Sequence, residues 1–120
     1  MDCFIQGCRD TFRVIVTLPG DRLQEVVIEA SDGTRQERLL SVFSVCGPAD
    51  PRHYEYALKL NSHLTYGSIS VHDVLGTPMF VMSRTFLRDT VSPEDLRHAL
   101  LEIARRSDRV EKELTRMDQY

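Results

Sequence analysis

The fold is decided by residues 92–118, which read SPEDLRHALLEIARRSDRVEKELTRMD. Ser92 is a favourable N-cap, because its hydroxyl can accept a hydrogen bond from the first helical turn. Pro93 suits the first helical position, where no N–H partner is lost, and Glu94 and Asp95 place negative charge at the positive end of the helix dipole. No Gly or Pro interrupts the rest of the stretch. The pattern therefore predicts one long C-terminal helix.

The apolar side chains of this helix are predicted to form a single stripe. Their spacing alternates between four and three residues, which is typical of one face of an α-helix. The stripe consists of Leu96, Leu100, Ile103, Ser107, Val110, Leu114 and Met117. We expect this stripe to pack on a sheet of the same chain.

The length of the helix supports a second hypothesis for its C-terminal half. A helix of about 25 residues spans roughly 37 Å, whereas a strand of average length spans only about 17–20 Å. The end of the helix would then overrun the sheet and meet a protein partner or a second copy of the chain. The candidate partner or dimer seam consists of Ser107, Val110, Leu114 and Met117.

The composition predicts one ordinary globular domain over residues 1–120, with residues 1–10 as a short lead-in. Hydrophobic residues make up 42% and charged residues 28%, which places the chain among globular proteins. The net charge of −3 carries no nucleic-acid signature. No apolar run approaches the length of about 18 residues that a membrane span needs. We therefore expect neither a nucleic-acid partner nor a membrane partner.

The cysteines predict a reducing compartment and no metal site. Cys3, Cys8 and Cys46 are odd in number, and their spacing matches no common zinc or redox motif. Residues 1–9 lack the basic start and the apolar core of a secretory signal. A cytoplasmic protein with reduced thiols, and without a metal or another cofactor, fits these features best.

The first half of the chain predicts three strands. Apolar and polar residues alternate over residues 12–18, which indicates a strand with one buried face. A Pro-Gly-Asp turn at 19–21 leads to a second strand at 24–30, and the two should pair as a hairpin. Residues 38–45 form a nearly continuous apolar stretch that carries Leu39, Leu40, Val42, Phe43 and Val45, which predicts a central strand covered on both faces.

The second half predicts a short helix and two more strands. Asp50-Pro51 repeats the cap-and-proline signal, so we expect a helix over residues 51–60 that buries Tyr54, Ala57 and Leu58. Alternating residues predict strands at 66–72 and 79–86, and the buried face of the latter carries Phe80, Met82 and Phe86. The order β-β-β-α-β-β-α predicts an α+β domain, in which the long C-terminal helix packs on an antiparallel sheet of about five strands.

Polar side chains near the fourth strand predict no catalytic site. Ser68, Ser70 and His72 share one strand face, but backbone positions two residues apart are about 6.5–7 Å apart. We interpret the three as the polar face of a half-exposed strand. His72 and Asp73 should point to opposite faces, and Asn61 is interpreted as the residue that closes the short helix.

Parts of the chain resemble the YbjN-like family of bacterial proteins. The resemblance rests on Tyr56-Ala57-Leu58-Lys59-Leu60-Asn61, on Tyr66-Gly67-Ser68-Ile69-Ser70-Val71 and on Ser92-Pro93-Glu94-Asp95-Leu96, followed by Arg106-Ser107-Asp108. It covers roughly residues 38–118. Members are described as sensory transduction regulators with a fold similar to that of type III secretion chaperones.

The resemblance implies an antiparallel sheet flanked by helices, an often dimeric state and the binding of a partner protein. It implies no catalysis and carries over no catalytic residue. Chaperone-like folds have a helix before the first strand, where this chain offers only about ten residues. The usual partner surface and dimer arrangement are therefore not carried over to this chain.

The function expected from the sequence is that of a non-enzymatic protein-binding module, either chaperone-like or regulatory, with a protein partner and a homodimer as candidate assemblies. The alternative is a small-ligand-binding protein or an enzyme with a pocket between helix and sheet. Shifted pKa values that converge in a cleft would favour this alternative.

Overall fold

Antiparallel strands carry a long helix on one face of their sheet in the computed structural model, which describes residues 10–65 and 67–118. The strands are β1 (Asp10–Leu18), β2 (Arg22–Asp32), β3 (Arg38–Pro48), β4 (Ser68–Val74) and β5 (Thr77–Leu87). A 3₁₀ turn (Pro51–His53) leads into α1 (Tyr54–Asn61), and the long helix is α2 (Pro93–Asp118). The predicted α+β class and the predicted element order are confirmed.

The sheet has the order β1-β2-β3-β5-β4, so β1 and β4 are its edges in the described part of the chain. Asp10 belongs to β1, which makes the predicted lead-in one residue too long. Residues 1–9, including Cys3 and Cys8, lie outside the described residues, as does Tyr66 of the predicted fourth strand.

The central strand is β3, as the apolar run at 38–45 predicted. Val42 and Phe43 are buried on opposite faces of the sheet, one in the core under α2 and the other in a smaller cluster on the opposite face. The strand continues beyond Val45 because the register shifts between Val45 and Gly47 and pairing with β5 resumes. Gly47 has a φ of 146°, a conformation that residues with a Cβ rarely adopt.

The main core lies between the sheet and the apolar stripe of α2. Ser92 caps this helix by accepting a hydrogen bond from the Asp95 N–H at 3.0 Å, as the sequence predicted. Ala99 and Ala104 are fully buried beside the stripe, and their small side chains let the helix lie close to the strands. The core residues of α2 include Ile103, Ala104, Val110 and Leu114, and those of the strands include Val26, Val42, Phe80 and Met82.

Three side chains predicted to be buried are exposed instead. The alternation at 12–18 places Phe12 on the buried face of the first strand, but Phe12 is 62% exposed, because it lies near the start of an edge strand that has a neighbour on only one side in the described sheet. Tyr54 is 40% exposed and Leu58 is 72% exposed. Helix α1 has only eight residues, and the side that it turns to the core is that of Ala57.

Asp108 anchors α2 to the β1–β2 hairpin. Its carboxylate is buried and accepts a hydrogen bond from Arg22 Nε at 2.6 Å, while Lys112 Nζ lies 3.3 Å from its second oxygen. Burial alone would raise the pKa of Asp108, but the hydrogen bonds and charges of Arg22 and Lys112 hold it below its ordinary value. Arg22 of the hairpin therefore forms an ion pair with the buried Asp108 carboxylate of α2.

Candidate functional site

The candidate site is the surface that α1 and the edge strand β4 share. Asp50 starts this region as the sequence predicted, since its Oδ1 accepts a hydrogen bond from the Arg52 N–H at 2.9 Å. That hydrogen bond lowers the pKa of Asp50 and satisfies an N–H of the first turn. The cap fixes where the 3₁₀ turn and then α1 begin, and so it sets which α1 residues face β4.

One stripe of α1 runs along β4. Tyr54, Leu58 and Asn61 are spaced by four and three residues, which places them on the same side of the helix. The ring of Tyr54 meets Phe80 edge-on, with a centroid distance of 6.2 Å and an interplanar angle of 79°. At the other end of α1, Asn61 contacts Ile69 of β4. The stripe therefore lies along the outer margin of the sheet.

The Asn61 side chain replaces a neighbouring strand at Ile69. Its Oδ1 accepts a hydrogen bond from the Ile69 N–H at 2.7 Å, and its Nδ2 donates to the Ile69 carbonyl at 3.1 Å. These are the two bonds that one residue of an added strand would make. The sequence predicted only that Asn61 closes the helix, but Asn61 is the last α1 residue and Ser62 is the C-cap.

Apolar side chains near the Asn61 amide are exposed to solvent. Val71 pairs with Phe80 across the β4–β5 ladder, and Phe80 is the residue that the Tyr54 ring meets. Val71 is 43% exposed. Leu58 lies between Tyr54 and Asn61 on the same stripe. We call Tyr54, Leu58 and Val71 the β4 patch. An exposed apolar group beside an edge strand is typical of a surface that contacts another polypeptide.

The predicted seam on α2 lies inside the protein. Ser107, Val110 and Leu114 are buried, and Val110 and Leu114 belong to the main core, against which Met117 also packs. Leu114 reaches the bulge of β3, where it lies opposite Gly47. Strands β2, β3 and β5 have 11 residues each, longer than the average strand assumed for the overrun, and they cover the stripe. The structure therefore shows the internal packing that the sequence left as the first of two hypotheses.

Ser70 and His72 meet, although their backbone spacing predicted no direct contact. His72 Nε2 lies 2.9 Å from Ser70 Oγ, because both side chains lean along the strand and close the gap that separates their backbones. They lie on the face of β4 opposite Val71. A serine–imidazole contact is only one part of a nucleophilic catalytic site. Such a site also needs hydrogen-bond donors that stabilise the negative charge that forms on the substrate oxygen during the reaction.

A groove lies between α1 and α2. It has a volume of about 360 Å³, at the small end of ligand sites. Its lining residues are Tyr56, Leu60, His63, Arg106, Arg109, Val110 and Glu113. Burial, followed by the charge of Glu113, raises the pKa of the Tyr56 phenol.

The thiol of Cys46 is a core group. It is free and buried, and burial raises its pKa to about 11. A thiol that stays protonated is a poor nucleophile and a poor metal ligand. Among residues 10–65 and 67–118, no three His, Cys, Asp or Glu side chains are grouped so that they could hold a metal ion. Within the same part of the chain, no helix is long and apolar enough to cross a membrane.

Comparison with known proteins returned no match for this chain, whether with family models, with curated proteins or with solved structures. The resemblance to the YbjN-like family stays a prediction. The functional interpretation therefore depends on the geometry of the β4 patch.

Proposed function

We propose that this protein is a non-enzymatic protein-binding module of chaperone-like or regulatory type, which works in the cytoplasm by protein–protein contact. The resemblance of residues 38–118 to the YbjN-like family supports this proposal. So does the buried free thiol of Cys46, which suits a reducing compartment.

The β4 patch is the observation that carries the proposal. Leu58 exposes 72% of its surface on a helix whose neighbouring face is buried in the core. Tyr54 and Val71 widen the apolar area, and the ion pair between Glu55 and Lys59, with an N–O distance of 3.1 Å, stands beside it. An apolar centre with a charged rim is the usual anatomy of a protein-binding surface.

A client-holding assay tests this function. Reduced, unfolded lysozyme aggregates on dilution, and light scattering follows the aggregation. We expect the intact protein in equimolar amount to suppress the scattering, because the β4 patch covers exposed apolar segments of the client. Leu58→Lys should abolish at least half of this suppression, since it places a charge in the centre of the patch while keeping a good helix former.

Leu87→Lys is the matched control. Leu87 is also an exposed leucine, but it lies at the end of β5, beyond the pairs that β5 makes with β4. Suppression that is absent in the intact protein, or equally reduced by both substitutions, would contradict the proposed function.

The alternative function is the binding of a small ligand in the groove between α1 and α2. The observation that favours it is the combination of Leu60 and Val110 with His63, Arg106 and Arg109 in one concavity. An anionic ligand with an apolar body fits such a lining. Changes in the amide chemical shifts of these residues during titration with benzoate would support ligand binding. The loss of these changes in Arg109→Ala would place the ligand in this groove.

A homodimer is also part of the proposal, and its best-supported surface is the β1 edge. Phe12 and Ile15 lie on opposite faces of β1 and are 62% and 56% exposed. The pairing of β1 with β2 is unbroken over nine residue pairs, and β1 contains no Pro or Lys. Proteins commonly prevent pairing at an edge with a bulge, a proline or charged side chains, lysine above all. The described strand has neither bulge nor proline, and its Arg13 is paired with Glu25 of β2, which favours pairing with a second copy.

A further inference from the structure

We propose that the segment bound at the β4 patch is an extended strand that adds to the β4 edge and continues the sheet beyond the Asn61 amide. This inference rests on the proposed function and names the form of its partner. It makes main-chain hydrogen bonds, in addition to apolar contact, the source of affinity at this surface.

The hydrogen bonds of Asn61 show which backbone groups of β4 point outward. Ile69 directs both its N–H and its carbonyl at the Asn61 side chain, although β5 lies on the other side of β4. In an antiparallel ladder, every second residue directs its N–H and C=O to the same side. Val71 and Asp73 therefore direct theirs outward as well, while Ser70 and His72 bond to β5.

Asn61 also limits where a strand can pair. It occupies the outward groups of Ile69 with one side-chain amide, so an added strand begins at Val71 and runs towards the β4–β5 turn. The outward groups of Val71 and Asp73 offer two donors and two acceptors. This geometry selects a short extended segment, with the Asn61 amide as its stop.

Side chains at the edge define the chemistry of the segment. The residue directly opposite Val71 shares its face of the sheet and would contact Leu58 and Tyr54, which favours an apolar side chain. In the antiparallel orientation, the residue two positions earlier lies opposite Asp73. A lysine or arginine at that position pairs with the Asp73 carboxylate, since opposite charges stabilise a cross-strand pair. The expected sequence is a basic residue, a polar residue and an apolar residue.

Synthetic peptides test the strand directly. The probe is a capped seven-residue peptide of threonines with one central valine and with lysine two positions before it. A first variant carries a methyl group on the amide nitrogen of the central valine, whose N–H would bond to the Val71 carbonyl. A second variant, the matched control, carries the methyl group on the following threonine, whose N–H points away from β4.

We expect the parent and the control peptide to bind alike in titrations followed by amide chemical shifts, and the valine-methylated peptide to bind at least tenfold more weakly. Hydrogen exchange at Val71 and Asp73 should slow in the complex, while exchange at Ser70 and His72 stays unchanged. Replacing the lysine of the peptide by glutamate should also weaken binding, because two carboxylates would then face each other.

Each contrary result has a separate meaning. Equal binding of all three peptides, or no binding while lysozyme is still held in a Leu58-dependent way, would overturn strand addition and leave the proposed function standing. Failure of the peptide together with failure of the lysozyme assay would overturn both.

Discussion

Asn61 joins α1 to β4, the strand that follows it in the chain. It ends α1, and its amide makes two hydrogen bonds to the backbone of Ile69 in β4. The N–H and the carbonyl of Ile69 lie at the open edge of the sheet. The Asn61 side-chain amide therefore takes the place that water or a partner strand would occupy. A single side chain thereby sets both the position of the helix and the part of the edge that stays open.

Replacing Asn61 by Ala should lower the free energy of unfolding by about 1–3 kcal/mol, because two partly buried backbone groups lose their partners. The measurement is urea unfolding followed by circular dichroism. Ser62→Ala is the control, since the Ser62 hydroxyl bonds only to the exposed Lys59 carbonyl at 2.7 Å, and it should cost less than about 0.5 kcal/mol. Equal costs would show that the Asn61 amide adds nothing specific.

Leu114 and Leu58 allow the effect of burial on stability to be compared at the same residue type. Leu114 lies in the main core and Leu58 is largely exposed. We expect Leu114→Ala to cost about 2–5 kcal/mol, because it leaves a cavity under α2, and Leu58→Ala to change stability by less than about 0.5 kcal/mol. Denaturant midpoints of the two variants give the comparison. A small cost at Leu114 would contradict the internal packing of the α2 stripe.

At the scale of elements, α2 is held by an apolar stripe and by one buried charge. The stripe places the helix on the sheet but leaves its rotation open to small adjustments, because apolar contacts have no direction. The hydrogen bond from Arg22 to Asp108 has a direction and joins the helix to the β1–β2 hairpin. The pair thus specifies how the helix and the hairpin meet.

The Asp108 anchor should make stability depend on pH. Its pKa in the folded protein is lower than the ordinary value of 3.8, so its contribution is present above that value and is lost as pH falls through the folded pKa. We expect Asp108→Asn to be less stable than the wild type by about 1–3 kcal/mol near pH 6. The difference should shrink below pH 3.8, which urea unfolding at several pH values would measure.

Asp89→Asn is the control for this anchor. Asp89 also bonds to an arginine, Arg38, and its pKa is likewise lowered, first by that hydrogen bond. Both partners are well exposed, so water screens the pair and Asp89→Asn should change stability much less than Asp108→Asn. An effect of Asp89→Asn as large as that of Asp108→Asn would argue against a special role for the buried carboxylate.

At the scale of the whole molecule, the two sheet edges differ. α1 packs beside β4, and Asn61 occupies part of its edge. β1 has no such cover in the described part of the chain. In the proposed function, the client binds at β4 and a second copy of the chain pairs with β1. Two copies that pair antiparallel through β1 would form one continuous sheet with α2 of both copies on the same face.

Full-length antiparallel pairing of two β1 strands places Val14 opposite itself, because Val14 is the centre of Asp10–Leu18. Opposite residues lie about 4.5–5.5 Å apart, within disulfide range, whereas the two copies of Thr17 would lie about 20 Å apart. In a background with Cys3 and Cys8 replaced by Ser, Val14→Cys should form disulfide-linked dimers under mild oxidation. Thr17→Cys, although more exposed, should not form this disulfide and should keep the non-covalent dimer.

Non-reducing gels and sedimentation velocity decide the outcome. Equal cross-linking of the Val14→Cys and Thr17→Cys variants would show random collision rather than registered pairing. A monomer in both variants and in the unmodified protein at high micromolar concentration would remove the homodimer from the proposal.

Local patterns in the sequence determined most of the fold. The 4-3 spacing on α2, the Ser92 cap and the alternation in the strands predicted the elements and their order, because propensity, capping and periodicity act over a few neighbouring residues. The nearly continuous apolar run of β3, with no charged residue from Leu39 to Val45, predicted even its central position, since a strand that is buried on both faces rarely tolerates charge on either.

Only the tertiary structure decided which apolar residues are buried and where the open edges lie. Tyr54 and Leu58 look like core residues in the sequence, but α1 turns its Ala57 side to the core and leaves them at the surface. The packing of α1 beside β4 also brings the Asn61 amide to Ile69. The unusually long strands cover the part of the α2 stripe that the second hypothesis expected to overrun the sheet. These outcomes depend on the relative placement of distant segments, and that placement arises from the packing of the whole core rather than from any local pattern.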